Sequence, residues 1–294
     1  MEEDVLSFVA YLEKDRHMAN NTLVSYQRDL TQMIAWMKGQ GAVSVDKITH
    51  TLLNSYVLYL EKSGKATTTI SRVMASMKAF FTYETRNGKL TENPSEGMKA
   101  PKVEKKAPTV LTSEEVERFL SVTQGKSIKM VRDRAMLELL YATGVRVSEI
   151  IGLKVSDLNF NVGFVTCRDG EKERAIPFGR VAREALITYL ESARTKLLKG
   201  HESDLLFVNC SGKSMSRQGF WKIIKFYGEK AGIQADITPQ ALRHSFAVHL
   251  IRNGADVRSV QAMLGHSDMS TTHAYVTYVN NPGIREVYAS AHKN

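Results

Sequence analysis

Apolar residues recur at helical spacing through the first 88 positions. Val5, Phe8, Val9 and Leu12 predict a helix over 2–14. Leu23, Tyr26, Leu30, Ile34 and Met37 form one stripe over about 21–39, and a third helix covers about 50–62. In "TTTISRVMASMKAFFTYETRNG", Ile70, Val73, Met74, Met77, Phe80 and Phe81 share a face, and Asn87-Gly88 supplies a stop. Four amphipathic helices of this kind predict a small helical domain.

"MKAPKVEKKAPTVLT", residues 98–112, breaks that pattern with two prolines and a cluster of lysines, and reads as an extended linker. The pattern beyond it is mixed. Thr112 followed by Glu114 and Glu115 starts a helix, and "RDRAMLELLYATG" is a helix ending at Gly144. "VSDLNFNVGFVTCRDGEKERAIPFG" alternates and turns, which predicts short strands and a hairpin loop near 168–173. "REALITYLESARTKLL" and "SRQGFWKIIKFYGEKAGI" read as helices, with an extended "DLLFVN" between them. A helix starting at Thr238-Pro239, another from Asp256 to Leu264 and a last pair split by Pro282 complete the chain. The expected fold is mainly α with a small β-sheet: a helical domain over 1–98, a linker over 99–111 and a second domain over 112–294.

Composition narrows the function classes. No stretch approaches the roughly 20 apolar residues of a membrane span, and the acidic, amphipathic N-terminus does not read as a signal peptide. Cys167 and Cys210 make no disulfide framework, and no Cys/His cluster has zinc spacing. These readings point to a cytoplasmic, metal-independent protein without a cofactor. Lys plus Arg outnumber Asp plus Glu by 40 to 31, a net charge of +9 spread along the chain. A protein that surrounds a polyanion has such a distribution.

Several polar residues stand out against these patterns, Arg243 and His244 inside a segment otherwise suited to a buried helix. Opposite the apolar face of the fourth helix lie Thr68, Arg72 and Ser76, a small cationic face that can approach a phosphate backbone. An ordinary solvated face has the same spacing. In "TPQALRHSFAVHL", Gln240, Arg243 and Ala247 share a stripe while Leu242, Phe246 and Leu250 face a core. Arg243 falls near a helix N-terminus, which favours anions. His244 points off that stripe and reads as structural. Arg146 lies at the junction after Gly144, with Glu149 placed to hold its guanidinium. Gly265 closes a helix, His266 follows in a loop, Ser270 caps a short helix and Tyr275 lies on it. Taken together, two arginines can grip one phosphate, a histidine can add a hydrogen bond or a proton, and a tyrosine can attack. Electrostatic neutralisation then replaces a metal.

"TGVRVSEIIGL", "LRHSFAVHLIRNGADVRSVQAMLGH" and "STTHAY" resemble the three boxes of the tyrosine recombinase (phage integrase) family, and specifically its Xer-type members. "NTLVSYQRDL" and the closing "REVYASAHKN" are similar too, so the resemblance covers nearly the whole chain. It implies an N-terminal four-helix core-binding domain and a C-terminal catalytic domain that clamp duplex DNA. It also implies strand exchange through a 3′-phosphotyrosine and a Holliday junction, by four protomers around two sites. Its catalytic residues fall on Arg146, Arg243, His266 and Tyr275. Two positions depart from it: Gln240 replaces a histidine, and Asp169 replaces the hairpin lysine. Lys172 and Arg168 flank Asp169 and are the cations that could serve there, Lys172 toward the leaving oxygen and Arg168 toward DNA.

The expected function is site-specific recombination of the kind that resolves chromosome dimers. The expected partners are a double-stranded DNA recombination site, a homo- or hetero-tetramer with a second Xer-type recombinase, and the septal DNA translocase. Two alternatives remain open: a catalytically weakened DNA-binding member of a heteromeric synapse, and a mobile-element integrase. The chain carries no additional N-terminal arm-binding domain, which favours the chromosomal role. The segment after Pro282, with Ile284, Val287 and Tyr288 on one side, is expected to pack on a neighbouring protomer or on its own chain.

Overall fold

Helix-period apolar stripes give the N-terminal unit its four helices: α1 (Glu2–Lys14), α2 (Asn20–Gly39), α3 (His50–Lys62) and α4 (Thr67–Arg86). This computed structural model describes residues 1–103, 108–170, 172–266 and 268–280. The chain divides into two units, Met1–Lys106 and Ala107–Asn294. In the first, the stripes meet in a core that includes Phe8, Leu30, Met33, Tyr56, Phe80 and Phe81. Thr49 caps α3 by accepting from the Leu52 amide, and acids in the first turn of α1 complement its dipole.

The polar face expected on α4 is not what the fold produces. Ser76 is fully buried and its hydroxyl donates to the Val73 carbonyl at 2.8 Å. Arg72 is bound to the buried carboxylate of Asp29, and only Thr68 is exposed. The physical reason is that α4 packs against α1, α2 and α3 at once, so its buried arc is wider than one stripe. Glu84 on the same helix is also wholly buried; its carboxylate accepts no hydrogen bond among the described residues and has Lys89 Nζ 3.7 Å away as an ion-pair partner.

The second unit opens with α5 (Ser113–Ser121), whose start is a capping box between Thr112 and Glu115. Helix α6 (Ile128–Thr143) starts at a Ser127 cap and ends at Gly144, whose φ of +59° is left-handed. Its middle, Ala135 to Leu140, is buried without a break, as in a central helix. The short α7 (Val147–Gly152) follows directly. A three-stranded antiparallel sheet comes next, β1 (Leu158–Asn159), β2 (Phe164–Asp169) and β3 (Lys172–Pro177), in that order. Its register pairs Asp169 with Lys172, Cys167 with Arg174 and Val165 with Ile176. Both strands run further than the expected loop over 168–173 allows, β2 to Asp169 and β3 from Lys172.

Helix α8 (Gly179–Tyr189) passes through a π-helical stretch, Leu190–Arg194, into α9 (Thr195–Leu198). The extended "DLLFVN" segment makes only isolated bridges, Lys154 with Leu205 and Val208 with Ser214. Helices α10 (Arg217–Lys230), α11 (Pro239–Arg252), α12 (Val257–Leu264) and α13 (Met269–Asn280) follow among the described residues. Asp268, not Ser270, tops α13, its carboxylate accepting from the Ser270 amide at 2.9 Å. The helix is not short; it runs for 12 residues. Ahead of α5, Leu111 is tied to α11: its amide donates to Ser245 Oγ at 2.8 Å and its carbonyl accepts from His249 Nε2 at 2.9 Å. Positions 104–107 of the expected linker, and the whole segment from Pro282 onward, lie outside the described residues. No helix among those described is long and apolar enough to cross a membrane.

Candidate active site

The site is organised by the C-terminal end of α12. The last carbonyls of any helix lack intrahelical partners and carry partial negative charge. Here three successive carbonyls each receive one arginine. Met263 O accepts from Arg174 Nε at 2.8 Å, Leu264 O from Arg243 at 2.6 Å and Gly265 O from Arg146 at 2.8 Å. Gly265 makes this possible. Its φ is +64°, and a Cβ there would stand 2.9 Å from the Arg174 guanidinium.

Arg243 is 4% exposed. Its second bond goes to the Gly144 carbonyl at 2.5 Å, at the end of α6. Two helix C-termini thus hold one guanidinium, and among the described residues no carboxylate pairs with it. Burial, then the neighbouring charge of Arg146, lower its pKa to about 10. A cation so destabilised gains from any anion that arrives. Gly144 is needed for a further reason: the Phe246 ring lies 2.3 Å from where its Cβ would be.

Arg146 caps α7 and is partly exposed. It donates to Glu149 at 3.1 Å, as expected, and also to Asp169 at 3.0 Å. The main partner of Glu149, though, is Arg174, which grips both carboxylate oxygens at 2.8 Å. Burial alone would raise the Glu149 pKa, but the hydrogen bonds from Arg174 and the Arg146 amide outweigh it and hold the carboxyl below its usual range.

The three helices α11, α12 and α13 pack together and bring Tyr275 to this end. Tyr275 is 3% exposed, and burial raises its pKa. Its hydroxyl lies 2.7 Å from Nδ1 of His244. His244 does point off the Arg243 stripe, as expected, but that direction leads to Tyr275. Arg243 and His244 are neighbours on α11; the arginine turns to the α6 and α12 ends while the imidazole turns to α13. His266 stacks near Tyr275 with ring centroids 6.2 Å apart, and its Nδ1 is engaged by Thr272 Oγ1 at 2.9 Å. Burial, followed by the charges of Arg243 and Arg146, pushes the His266 pKa down to about 4.

The remaining expected residues divide by strand parity. Cross-strand partners share a face and successive residues alternate. Lys172 therefore shares the face of Asp169 and Arg174, toward Arg146. Arg168 lies on the opposite face, where its guanidinium is held by Asp157 and by Glu173. This parity removes Arg168 from the site. Gln240, in the first turn of α11, is exposed. Sequence reasoning missed Arg174, Thr272 and the role of His244. Only Arg174 left a signal, a cation opposite buried Cys167 in an alternating strand. Among the described residues, no group of three or more His, Cys, Asp or Glu is arranged to hold a metal ion.

Comparison with known proteins assigns this arrangement to a class. Residues 109–281 match the phage integrase family, and residues 5–88 match the phage integrase N-terminal SAM-like domain. The chain belongs to the phage integrase family and is a tyrosine recombinase. It is 44% identical over 287 residues to the tyrosine recombinase XerD of Halalkalibacterium halodurans, covering 97% of this chain and 96% of the relative. It is also 44% identical over 295 residues to the tyrosine recombinase XerD of Oceanobacillus iheyensis, covering 99% of both. Among solved structures, the XerA recombinase is 28% identical with a TM-score of 0.55 over 99% of both chains. The XerH site-specific recombinase bound to its difH substrate shares the fold, with a TM-score of 0.72 at 22% identity over 92% of this chain and 80% of that one.

Proposed function

We propose that the protein is a cytoplasmic, site-specific DNA recombinase that cuts and rejoins duplex DNA through Tyr275, in the manner that resolves chromosome dimers. The observation that carries this reading is the buried Arg243, held by two helix-end carbonyls without a carboxylate partner, beside the hydrogen-bonded hydroxyl of Tyr275. In this reading a phosphodiester occupies the anion position that Arg243 and Arg146 define. Their planar forks neutralise its non-bridging oxygens, which is the main requirement of phosphoryl transfer. His266 adds a neutral hydrogen bond: with Thr272 donating to Nδ1, its Nε2 keeps a hydrogen for a phosphate oxygen. Tyr275 Oη attacks phosphorus, the bond to the 5′ oxygen breaks, and the DNA is left joined to the protein by its 3′ phosphate. Rejoining is the same step reversed by a 5′ hydroxyl from the exchanging strand.

The family resemblance supports an assembly of four protomers around two sites, with a second Xer-type recombinase or a second copy of this chain, under the control of a septal DNA translocase. Lys172 is the cation on the correct strand face to help the 5′ oxygen depart. Gln240 can donate a hydrogen bond to phosphate but carries no proton through the reaction. The direct test uses suicide duplexes, nicked at successive positions of the site that the wild-type protein selects from a randomised DNA pool. The wild type should form a covalent complex and Tyr275→Phe none. Failure of the wild type to trap DNA, alone or with a partner recombinase, contradicts the reading.

One observation favours a second reading, a DNA-binding member with weak catalysis of its own: Asp169 places a carboxylate on Arg146 where the family has a lysine. The double variant Asp169→Lys, Gln240→His separates the two. A large gain in cleavage supports the weakened site, and unchanged efficient cleavage excludes it.

A further inference from the structure

The phenol of Tyr275 is a poor nucleophile as it stands. It is buried, its pKa is raised and the solvent that would take its proton is excluded. A base must therefore touch it. The position where the family carries a histidine holds Gln240, which is exposed and cannot accept a proton into a stable charged form. His266 is nearby, but Thr272 occupies its Nδ1, and it meets Tyr275 only ring to ring, with centroids 6.2 Å apart. Glu149 is engaged by Arg174 and by Arg146, and Asp169 by Arg146. His244 alone, among the described titratable groups, lies at hydrogen-bond distance from the phenol oxygen, at 2.7 Å.

We propose that His244 is the general base of this recombinase: its Nδ1 takes the Tyr275 proton as the phenol oxygen attacks phosphorus, replacing the histidine that Gln240 displaces. The proposal rests on the assignment of Tyr275 as the nucleophile. In cleavage the Tyr275 O–P bond forms, the P–O5′ bond breaks with its electron pair on the 5′ oxygen, and that oxygen takes a proton from water. In rejoining, a 5′ hydroxyl attacks, its proton passes to water, and the imidazolium returns its proton to the departing phenolate. The groups facing His244 are Tyr275 on α13, Arg243 on its own helix and His266 in the preceding loop. Burial and Arg243 lower its pKa, so the imidazole is neutral and able to accept at neutral pH. The role is invisible to helix-stripe reasoning because the base lies one residue from the arginine it assists rather than three or four.

The test is single-turnover cleavage of the selected suicide duplexes by full-length His244→Ala and His244→Asn. Both should cleave about 10²-fold or more slowly than wild type. Both should bind the intact duplex as wild type does, which shows that the site still folds. Added imidazole should restore part of the rate of His244→Ala. The wild-type rate should fall at acid pH as the imidazole protonates, and both variants should lose that limb. If both variants cleave at the wild-type rate with the wild-type pH profile, the proposal is overturned while Tyr275 as nucleophile stands. If Tyr275→Phe still traps DNA, the nucleophile assignment falls and the proposal with it.

Discussion

Arg146, Arg174 and Arg243 share the end of one helix yet do different things. Arg243 offers an unneutralised charge, Arg146 shares its charge with two carboxylates, and Arg174 serves Glu149. Arg243→Ala should reduce cleavage by about 10²–10³-fold, the scale of one lost electrostatic donor at a reacting centre. Arg243→Lys should not rescue it, because an ammonium on a flexible stem cannot span the Gly144 and Leu264 carbonyls. Arg174→Met should act on stability first, leaving Glu149 buried with Arg146 alone, at about 3 kcal/mol in urea unfolding. The pH dependence follows from Glu149. Its carboxyl is held below the ordinary 4.5, so its stabilising contribution is complete above that value and is lost as pH falls through the lower native value. Glu149→Gln should flatten that part of the stability curve between pH 4.5 and the acid transition.

At the scale of elements, the two glycines that end α6 and α12 act as joints. Each turns the chain through a left-handed residue and aims helix-end carbonyls at arginines. Gly144→Ala should cost about 1–2 kcal/mol in backbone strain, with a further loss because Phe246 must move, measurable as a lower Tm. Both glycines were legible from sequence, as were the helix starts at Thr112 and Thr238, because stop and start signals are local; Asp256, expected as the first residue of its helix, is instead its cap. The four N-terminal helices were legible too, since apolar stripes at Leu30, Ile34 and Phe80 have one period. What the sequence hid depends on contact between distant segments. The burial of Ser76 and the pairing of Arg72 with Asp29 follow from three helices closing around α4. The turn of His244 toward Tyr275 follows from α13 packing against α11. Buried Glu84 is a further consequence of that closure around α4. Its pKa is raised by burial, so its carboxylate form costs stability at neutral pH and not below pH 4.5. Glu84→Met should therefore stabilise the protein by about 1–3 kcal/mol at pH 7, with little gain at pH 4.

For the whole molecule, the charge of +9 is spread along the chain rather than gathered in a tail. Contacts to the phosphate backbone should then dominate affinity, and log Kd should rise steeply and linearly with log salt. A flat salt dependence in an anisotropy titration would contradict a protein that surrounds its DNA. The central claim concerns one bond, between DNA and Tyr275. It is tested most directly by trapping the covalent complex on a suicide duplex, digesting it with trypsin and locating the nucleotide by mass spectrometry. The tryptic peptide that holds Tyr275 also holds Tyr278, so the fragment spectrum discriminates between them. The account predicts a 3′-phosphonucleotide on Tyr275. A nucleotide on Tyr278, or on any other residue, would contradict it.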